Sequence, residues 1–157
     1  MSKVGLARNL SKEPINKVSS LPLLLVLSLA LPLLLWPIEQ FFPYPHLVEE
    51  MAKSLIAIFL ANDRQITAKS IIWPIICGFL FALSETMFYL LNFIKLGHFS
   101  DLFKRILLTG CLHIGTLLLV YLGAKKNYFF LLLSFFTAVF IHYTFNLLAS
   151  NSVGLFS

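Results

Sequence analysis

The stretch LPLLLVLSLALPLLLWPI, residues 21–38, decides the fold class of this chain. It contains no charged residue, and an α-helix of this length, rising roughly 1.5 Å per residue, can cross a hydrocarbon core of about 30 Å. Basic residues precede the run, as in a signal peptide. However, the nearest small-residue cleavage site, Ser28-Leu29-Ala30, falls in its middle. We therefore predict an uncleaved first membrane helix, bent at Pro32.

The composition of the whole chain supports a membrane protein. Of its 157 residues, 59% are hydrophobic and only 12% are charged. A soluble domain of this size needs a more polar exterior, because its surface must face water. The net charge of +5 does not indicate nucleic-acid binding, because the basic residues are scattered and form no patch with interleaved aromatic residues. The expected surroundings are therefore lipid.

Further apolar segments predict four more helices, at residues 46–61, 71–94, 106–123 and 128–149. The first of these follows the proline-rich break FFPYPH and would reach only about 24 Å. It should therefore begin below the membrane surface, sheltered by its neighbours. Residues 98–105 are expected to form a short interfacial segment.

Together these segments predict an all-α, polytopic transmembrane helix bundle with five membrane-embedded helices. A single domain is expected to span residues 21–150. Residues 1–20 would form a cytoplasmic tail, and residues 151–157 would form a C-terminal tail. No internal repeat or second domain is evident in the sequence.

The distribution of basic residues predicts the orientation in the cell membrane. Cytoplasmic loops are enriched in lysine and arginine. With the N-terminus inside and five crossings, eight basic residues fall on the inner side and three on the outer side, so the C-terminus should lie outside. The inner residues are Lys3, Arg8, Lys12, Lys17, Arg64, Lys69, Lys125 and Lys126, and the outer ones are Lys95, Lys104 and Arg105.

Ionisable side chains interrupt the apolar segments, and each is a candidate functional residue because burying it in a membrane is costly. Local explanations exist for several of them. Glu49 and Lys53 are spaced as an i,i+4 helix pair, and acids suit a helix N-terminus. A histidine or Asn146 alone could simply join two helices. The candidates are Glu49, Glu50, Lys53, Glu85, His113, His142 and Asn146.

Depth in the membrane favours one shared site over separate local roles. Under the predicted topology, Glu85 lies about nine residues from the outer end of its helix, and His113 and His142 lie about seven. Glu49 and Glu50 begin the short helix near the same side. Four helices thus contribute polar groups to one layer in the outer half of the bilayer. Glu39 is expected outside this cavity.

Two carboxylates and two imidazoles in an apolar cavity suit hydrolysis. A glutamate can act as general base for a water molecule, while imidazoles can bind a metal ion or donate hydrogen bonds to a developing oxyanion. The chain has no HExxH motif and no recognisable motif of a serine hydrolase. The residues alone leave the metal-dependent and metal-free alternatives open.

Four segments in order resemble a known family: EEMAK (residues 49–53), FALSE (81–85), His113 and HYTFN (142–146). They are similar to the EExxK, FxxxE, H and HxxxN/D series of the PrsW family of intramembrane proteases. That family is related to the type II CAAX-prenyl endopeptidases and the bacterial CPBP proteins. The resemblance covers residues 40–150 and rests on the ordered set, because each motif alone is weak.

The resemblance implies a peptidase that cleaves another membrane protein within or just outside the membrane, such as an anti-sigma-like regulator. Glu49 would be the base, with Glu50 and Lys53 supporting it. Glu85, His113, His142 and Asn146 would complete the site. The family is often described as metalloproteases, which makes zinc a candidate cofactor at Glu85, His113 and His142, or at the same histidines with Glu49 in place of Glu85. A metal-free site would instead use His142 and Asn146 as oxyanion donors.

A different class of function fits the same helices. A non-catalytic membrane scaffold, or a small transporter whose carboxylates carry protons, would also bury these residues. The two classes differ in whether Glu49 is coupled to hydrolysis or to transport.

Overall fold

The computed structural model describes residues 19–63, 66, 70–96 and 99–151, and the side chains of these residues except those at 88, 89, 91–102, 105, 150 and 151. The regular secondary structure of these residues is entirely helical, which confirms the predicted all-α class. The predicted tails lie outside the described residues, apart from residues 19, 20 and 151. The five helices are α1 (Leu21–Glu39), α2 (Pro45–Asn62), α3 (Ile72–Leu96), α4 (Phe99–Lys126) and α5 (Tyr128–Asn151).

The helix boundaries follow from local sequence. Pro45 occupies the first turn of α2, where its missing N–H costs no intrahelical hydrogen bond. Pro32 is buried inside α1, and α1 continues through it to Glu39 as one helix. Residues 99–105, predicted to be a short interfacial segment, form the first turns of α4, so this helix begins before the predicted residue 106. Their interfacial location stays a prediction. No proline or glycine separates them from the apolar run that follows.

Helix α4 is central to the bundle. It packs against α2, α3 and α5, while α1 packs against α2 and α3. Asp63, just after α2, accepts hydrogen bonds from the Ser20 backbone N–H at 3.1 Å and the Ser20 hydroxyl at 2.7 Å. These bonds join the end of α2 to the start of α1, so the two helices run antiparallel.

Small residues mediate the packing of α5. Its buried side chains in the described region are Ser134, Ala138 and His142, which follow one another at intervals of four and form a single stripe. Small residues let membrane helices approach closely. Gly123 of α4 shows how close this contact is, because a Cβ there would lie 2.6 Å from the carbonyl oxygen of Phe130. The stripe therefore brings His142 against α4.

A second close approach lies between α3 and α4. A Cβ on Gly78 would lie 2.7 Å from the Cα of Ile114 and 2.9 Å from the carbonyl oxygen of His113. Real side chains do not tolerate such distances, so only glycine lets α3 approach α4 at this level. This contact sets the separation of the two helices that carry Glu85 and His113.

Three helices in the described part of the chain are long and apolar enough to cross a membrane: Leu21–Glu39, Ile106–Lys126 and Tyr128–Ala149. Ile72–Met87 is a shorter apolar helix. α2 differs because it carries Glu49, Glu50 and Lys53. Such a helix is stable at membrane depth only when its neighbours supply partners for the charges.

Candidate active site

One face of α2 turns its polar residues into the bundle. His46, Glu50, Lys53, Ala57 and Leu60 are buried and recur at intervals of three and four residues. The apolar members of this face join the core, which also contains Leu117, Val120 and Tyr121 of α4. The polar members continue the same face toward the N-terminal end of α2. The candidate site is thus the polar, N-terminal part of a helix interface that is otherwise apolar.

Lys53 lies at the centre of the polar cluster. Its side chain is fully buried, and its Nζ forms an ion pair with Glu50 Oε1. The same Nζ lies 2.8 Å from His113 Nδ1 and 3.1 Å from Thr116 Oγ1, both on α4. It also lies 5.3 Å from the centre of the Phe81 ring, within the range of a cation–π interaction. Lys53 therefore joins α2 to α4 through hydrogen bonds inside the bundle.

Glu50 connects α2 to α5. Its Oε1 accepts from Lys53 and lies 2.7 Å from His142 Nδ1. Burial of a charge is costly unless the charge is paired and hydrogen-bonded, and the lysine and the histidine both meet this need. Because an ionised carboxylate only accepts hydrogen bonds, the His142 Nδ1 must carry the proton in this contact. In the neutral imidazole, the lone pair of His142 is then on Nε2.

Glu85 of α3 and His113 of α4 form a second carboxylate–imidazole pair. Glu85 Oε2 lies 2.5 Å from His113 Nε2. The Phe81 ring, one turn before Glu85, lies 5.1 Å from the His113 ring. The His113 and His142 rings meet edge to face, with centroids 5.3 Å apart. The two carboxylate–imidazole pairs thus belong to one continuous cluster.

Glu49 faces this cluster with an unpartnered oxygen. Its Oε2 is buried and, within the described part of the chain, has no hydrogen-bond partner. It lies 3.7 Å from His142 Nε2, too far for a direct hydrogen bond. Buried polar atoms are nearly always satisfied, so an exception marks a strained or functional position. With Glu49 ionised and His142 neutral, the two atoms that face each other here are both hydrogen-bond acceptors.

The structure brings six of the seven candidate residues together, and Asn146 differs. Its side chain is exposed, one turn beyond His142 on α5. No hydrogen bond joins it to the cluster among the described residues. Asn146 thus lies at the edge of the site, and its role stays a prediction.

Three residues that the sequence analysis did not assign to the site lie close to it. Thr116 contacts Lys53, as described above. His46 is buried, and its ring lies 6.1 Å from that of His142. Glu39 was expected outside the cavity, but its Oε1 is buried and its charge lies within range of Glu85. His46 could have been assigned to the site from its spacing, because it lies one helical turn before Glu50.

The cluster contains donors suited to a metal ion. Ligand atoms of Glu49, His113 and His142 all lie within 4.8 Å of one another. Two histidines and one glutamate form a known set for catalytic zinc, and a carboxylate on the second nitrogen of a ligating histidine, as on His142, is the usual support. The donor set therefore fits zinc in its chemistry. The sequence suggested Glu85 or Glu49 as the third ligand beside the two histidines; this group contains Glu49, and Glu85 contacts His113.

Comparison with known proteins identifies the family. A profile of the PrsW family intramembrane metalloproteases matches residues 40–157, three quarters of the chain. The chain belongs to the PrsW family. It is accordingly a membrane protein and an intramembrane peptidase. No curated protein and no solved structure matches it.

The PrsW match includes every residue of the polar cluster. Glu49, Glu50 and Lys53 come from its first helix, and the other members come from the three helices that follow. Helix α1 and Glu39 precede the matched region. The candidate site of this PrsW chain is thus assembled from α2 to α5.

Proposed function

We propose that this chain hydrolyses a peptide bond with a water molecule activated by Glu49. The observation that carries the proposal is the unpartnered Glu49 Oε2, 3.7 Å from His142 Nε2. A water molecule can bridge two acceptors by donating one O–H to each. Its oxygen lone pair is then free to attack a carbonyl carbon. A general base must lie within hydrogen-bond reach of the proton it removes, and this arrangement meets that condition.

In the proposed reaction, the water oxygen forms a bond to the carbonyl carbon while Glu49 Oε2 takes one water proton. The carbonyl electron pair moves onto its oxygen. When the C=O bond re-forms, the C–N bond breaks, and Glu49 returns the proton to the leaving nitrogen. Each proton and electron pair is thus accounted for with one carboxylate acting first as base and then as acid.

Glu50 and Lys53 support this base. Glu50 fixes the His142 ring by accepting from Nδ1, so that Nε2 faces Glu49. Lys53 offsets the charge of Glu50 in the buried cluster. In this arrangement Glu50 orients His142, the second group that holds the proposed water beside the base. The exposed Asn146 amide, one turn beyond His142, is the proposed donor to the developing oxyanion.

Zinc is a second candidate component, favoured by the close approach of three ligand atoms. Glu49, His113 and His142 would hold it, and it would supply a Lewis acid that polarises the carbonyl oxygen and activates water. His113 is the least available donor of the three, because both its ring nitrogens already have polar partners. A zinc site would require His113 to give up one of them. Under this alternative Glu49 is a ligand, and Glu85, which is paired with His113, is a remaining carboxylate that could act as the base.

Metal removal tests the proposed mechanism. We expect protein treated with a chelator to cleave single-span membrane proteins in lipid vesicles at the rate of untreated protein. Elemental analysis should find no metal at one equivalent, because the proposed base needs no Lewis acid. Loss of cleavage on chelation, with recovery on added zinc but not magnesium, would establish the zinc alternative and assign Glu49 as a ligand.

The substrate is proposed to be another membrane protein, cleaved in the outer half of the bilayer. The inner side carries the larger number of basic residues, with α4 ending in Lys125 and Lys126. With that end inside, the start of α2 and the end of α5 face the outer side, and the cluster lies nearer to that surface. The scissile bond would then lie close to the outer end of the substrate helix.

Cysteine labelling tests this orientation. In a variant with Cys77 and Cys111 replaced by serine, a cysteine at Phe41, in the turn after α1, should react with an impermeant reagent outside intact cells. A cysteine at Lys126 should react only after the membrane is opened, because the basic end lies inside. The reverse labelling pattern would place the cluster in the inner half and contradict the proposed cleavage side.

A further inference from the structure

The buried ammonium of Lys53 has as many acceptors as it has protons. An ammonium group carries three N–H donors and no acceptor. Its three polar neighbours are Glu50 Oε1, His113 Nδ1 at 2.8 Å and Thr116 Oγ1 at 3.1 Å. Each neighbour can therefore receive one hydrogen bond. Because each N–H has its own acceptor, the orientation of the ammonium is fixed by three residues, two on α4 and one on α2.

This arrangement determines the tautomer of His113. A neutral imidazole has one nitrogen that donates and one that accepts. Because Nδ1 accepts from Lys53, the proton must lie on Nε2, which donates to Glu85 Oε2 at 2.5 Å. His142 is the opposite case, with its proton on Nδ1 toward Glu50 and its lone pair on Nε2. Two neighbouring imidazoles are thus held in opposite tautomers.

Thr116 completes the arrangement. It is buried, three residues after His113 on α4, and its hydroxyl can accept from Lys53 while it donates to the backbone carbonyl of His113 at 3.5 Å. We propose that Thr116 is a positioning residue, which through Lys53 keeps His113 in the Nε2–H tautomer while His142 keeps the opposite one. Without the hydroxyl, one ammonium N–H loses its acceptor and the ammonium can turn away from His113.

The two tautomers divide the roles of the histidines. The open lone pair lies on His142, where it faces Glu49, and His113 acts as a donor that fixes the Glu85 carboxylate. This division of roles rests on the proposed function, because it leaves one correctly placed acceptor, His142 Nε2, beside the proposed base Glu49. The tautomers themselves are a property of the resting protein and do not depend on any reaction.

Nitrogen NMR of the resting protein tests the assignment. The chain has four histidines, and ¹⁵N-histidine labelling in lipid nanodiscs distinguishes the two neutral tautomers of each. Spectra of His113→Gln and His142→Gln assign the signals. We expect Nε2–H at His113 and Nδ1–H at His142 in the wild type. Nδ1–H at His113 would overturn the inference, and this result needs no variant of Thr116 to fold.

Removal of the hydroxyl then tests the role of Thr116. In Thr116→Val, of similar shape, the His113 signals should become those of mixed tautomers while His142 stays unchanged, and Thr116→Ser should restore the wild-type pattern. Thr137→Val is the matched control, because among the described residues that exposed hydroxyl bonds to the carbonyl of Leu133 on its own helix. If both Thr116→Val and Thr116→Ala keep the wild-type tautomer, Thr116 has no positioning role.

Kinetics give a separate result. On a membrane-spanning peptide that the wild type cleaves, Thr116→Val should lower kcat by about five- to tenfold, the effect of one hydrogen bond, with KM unchanged. Thr116→Ser should recover the rate. A rise in KM without a change in kcat would contradict positioning. Absence of cleavage by the wild type, with the expected tautomers present, would overturn the proposed hydrolysis and leave the tautomer assignment supported.

Discussion

Replacing Glu49 by glutamine should lower kcat by roughly 10²–10⁴-fold, the usual contribution of general-base catalysis. Glutamine keeps the shape of the side chain but cannot accept the proton from water. The variant should fold, because Glu49 Oε2 has no hydrogen-bond partner to lose among the described residues. The measurement is cleavage of membrane-spanning peptides in vesicles, with products identified by mass spectrometry.

Two further variants make this prediction specific. Glu13→Gln is a matched control in the N-terminal segment, and it should cleave at the wild-type rate. Glu85→Gln should retain measurable activity, because a glutamine oxygen can still accept from the His113 Nε2–H. Full activity in Glu49→Gln would remove the proposed base. Equal losses in Glu49→Gln and Glu85→Gln would mean that the two carboxylates act as a unit.

Replacing Lys53 by methionine should destabilise the folded protein by about 3–5 kcal/mol, the usual cost of breaking a buried ion pair. Methionine fills much of the space but leaves the fully buried Glu50 without its cation. It also leaves His113 Nδ1 and Thr116 without a donor. The measurement is the free energy of unfolding in mixed micelles with increasing dodecyl sulfate, followed by the loss of helical circular dichroism.

A double variant separates charge from packing. Lys53→Met combined with Glu50→Gln should recover part of the lost free energy, because no unpaired charge then remains buried. Lys126→Met, at an exposed lysine near the end of α4, is the matched control and should leave stability nearly unchanged. Similar unfolding free energies for Lys53→Met and Lys126→Met would show that the buried pair contributes little.

The number of helices and most of their boundaries could be predicted from the sequence. Long apolar runs identify membrane helices because lipid excludes both charges and unpaired backbone groups. The proline-rich break FFPYPH predicted the start of α2 at residue 46, within one residue of its observed start at Pro45. The start of α4 was missed because residues 99–105 are too polar to resemble a membrane span, although nothing in them stops a helix.

The members of the site were also visible in the sequence, because each ionisable residue in an apolar run stands out. The ion-pair and hydrogen-bond partners of these residues were not visible in the sequence. The i,i+4 spacing suggested that Lys53 pairs with Glu49, whereas its partner in the structure is Glu50, three residues away. Glu39 was expected outside the cavity but lies within electrostatic range of Glu85. Asn146 shares a helix turn with His142 but is exposed.

The sequence by itself determined the class of fold, the family resemblance and the set of residues that could perform chemistry. The tertiary structure decided which helix faces meet, because in a membrane the lipid-facing side of a helix is as apolar as its packed side. The buried stripe Ser134, Ala138 and His142 therefore leaves little trace in the hydrophobic pattern of α5. The hydrogen-bond partners of Lys53 on α4 were decided in the same way, since they lie 60 and 63 residues away along the chain and become neighbours only where α2 packs on α4.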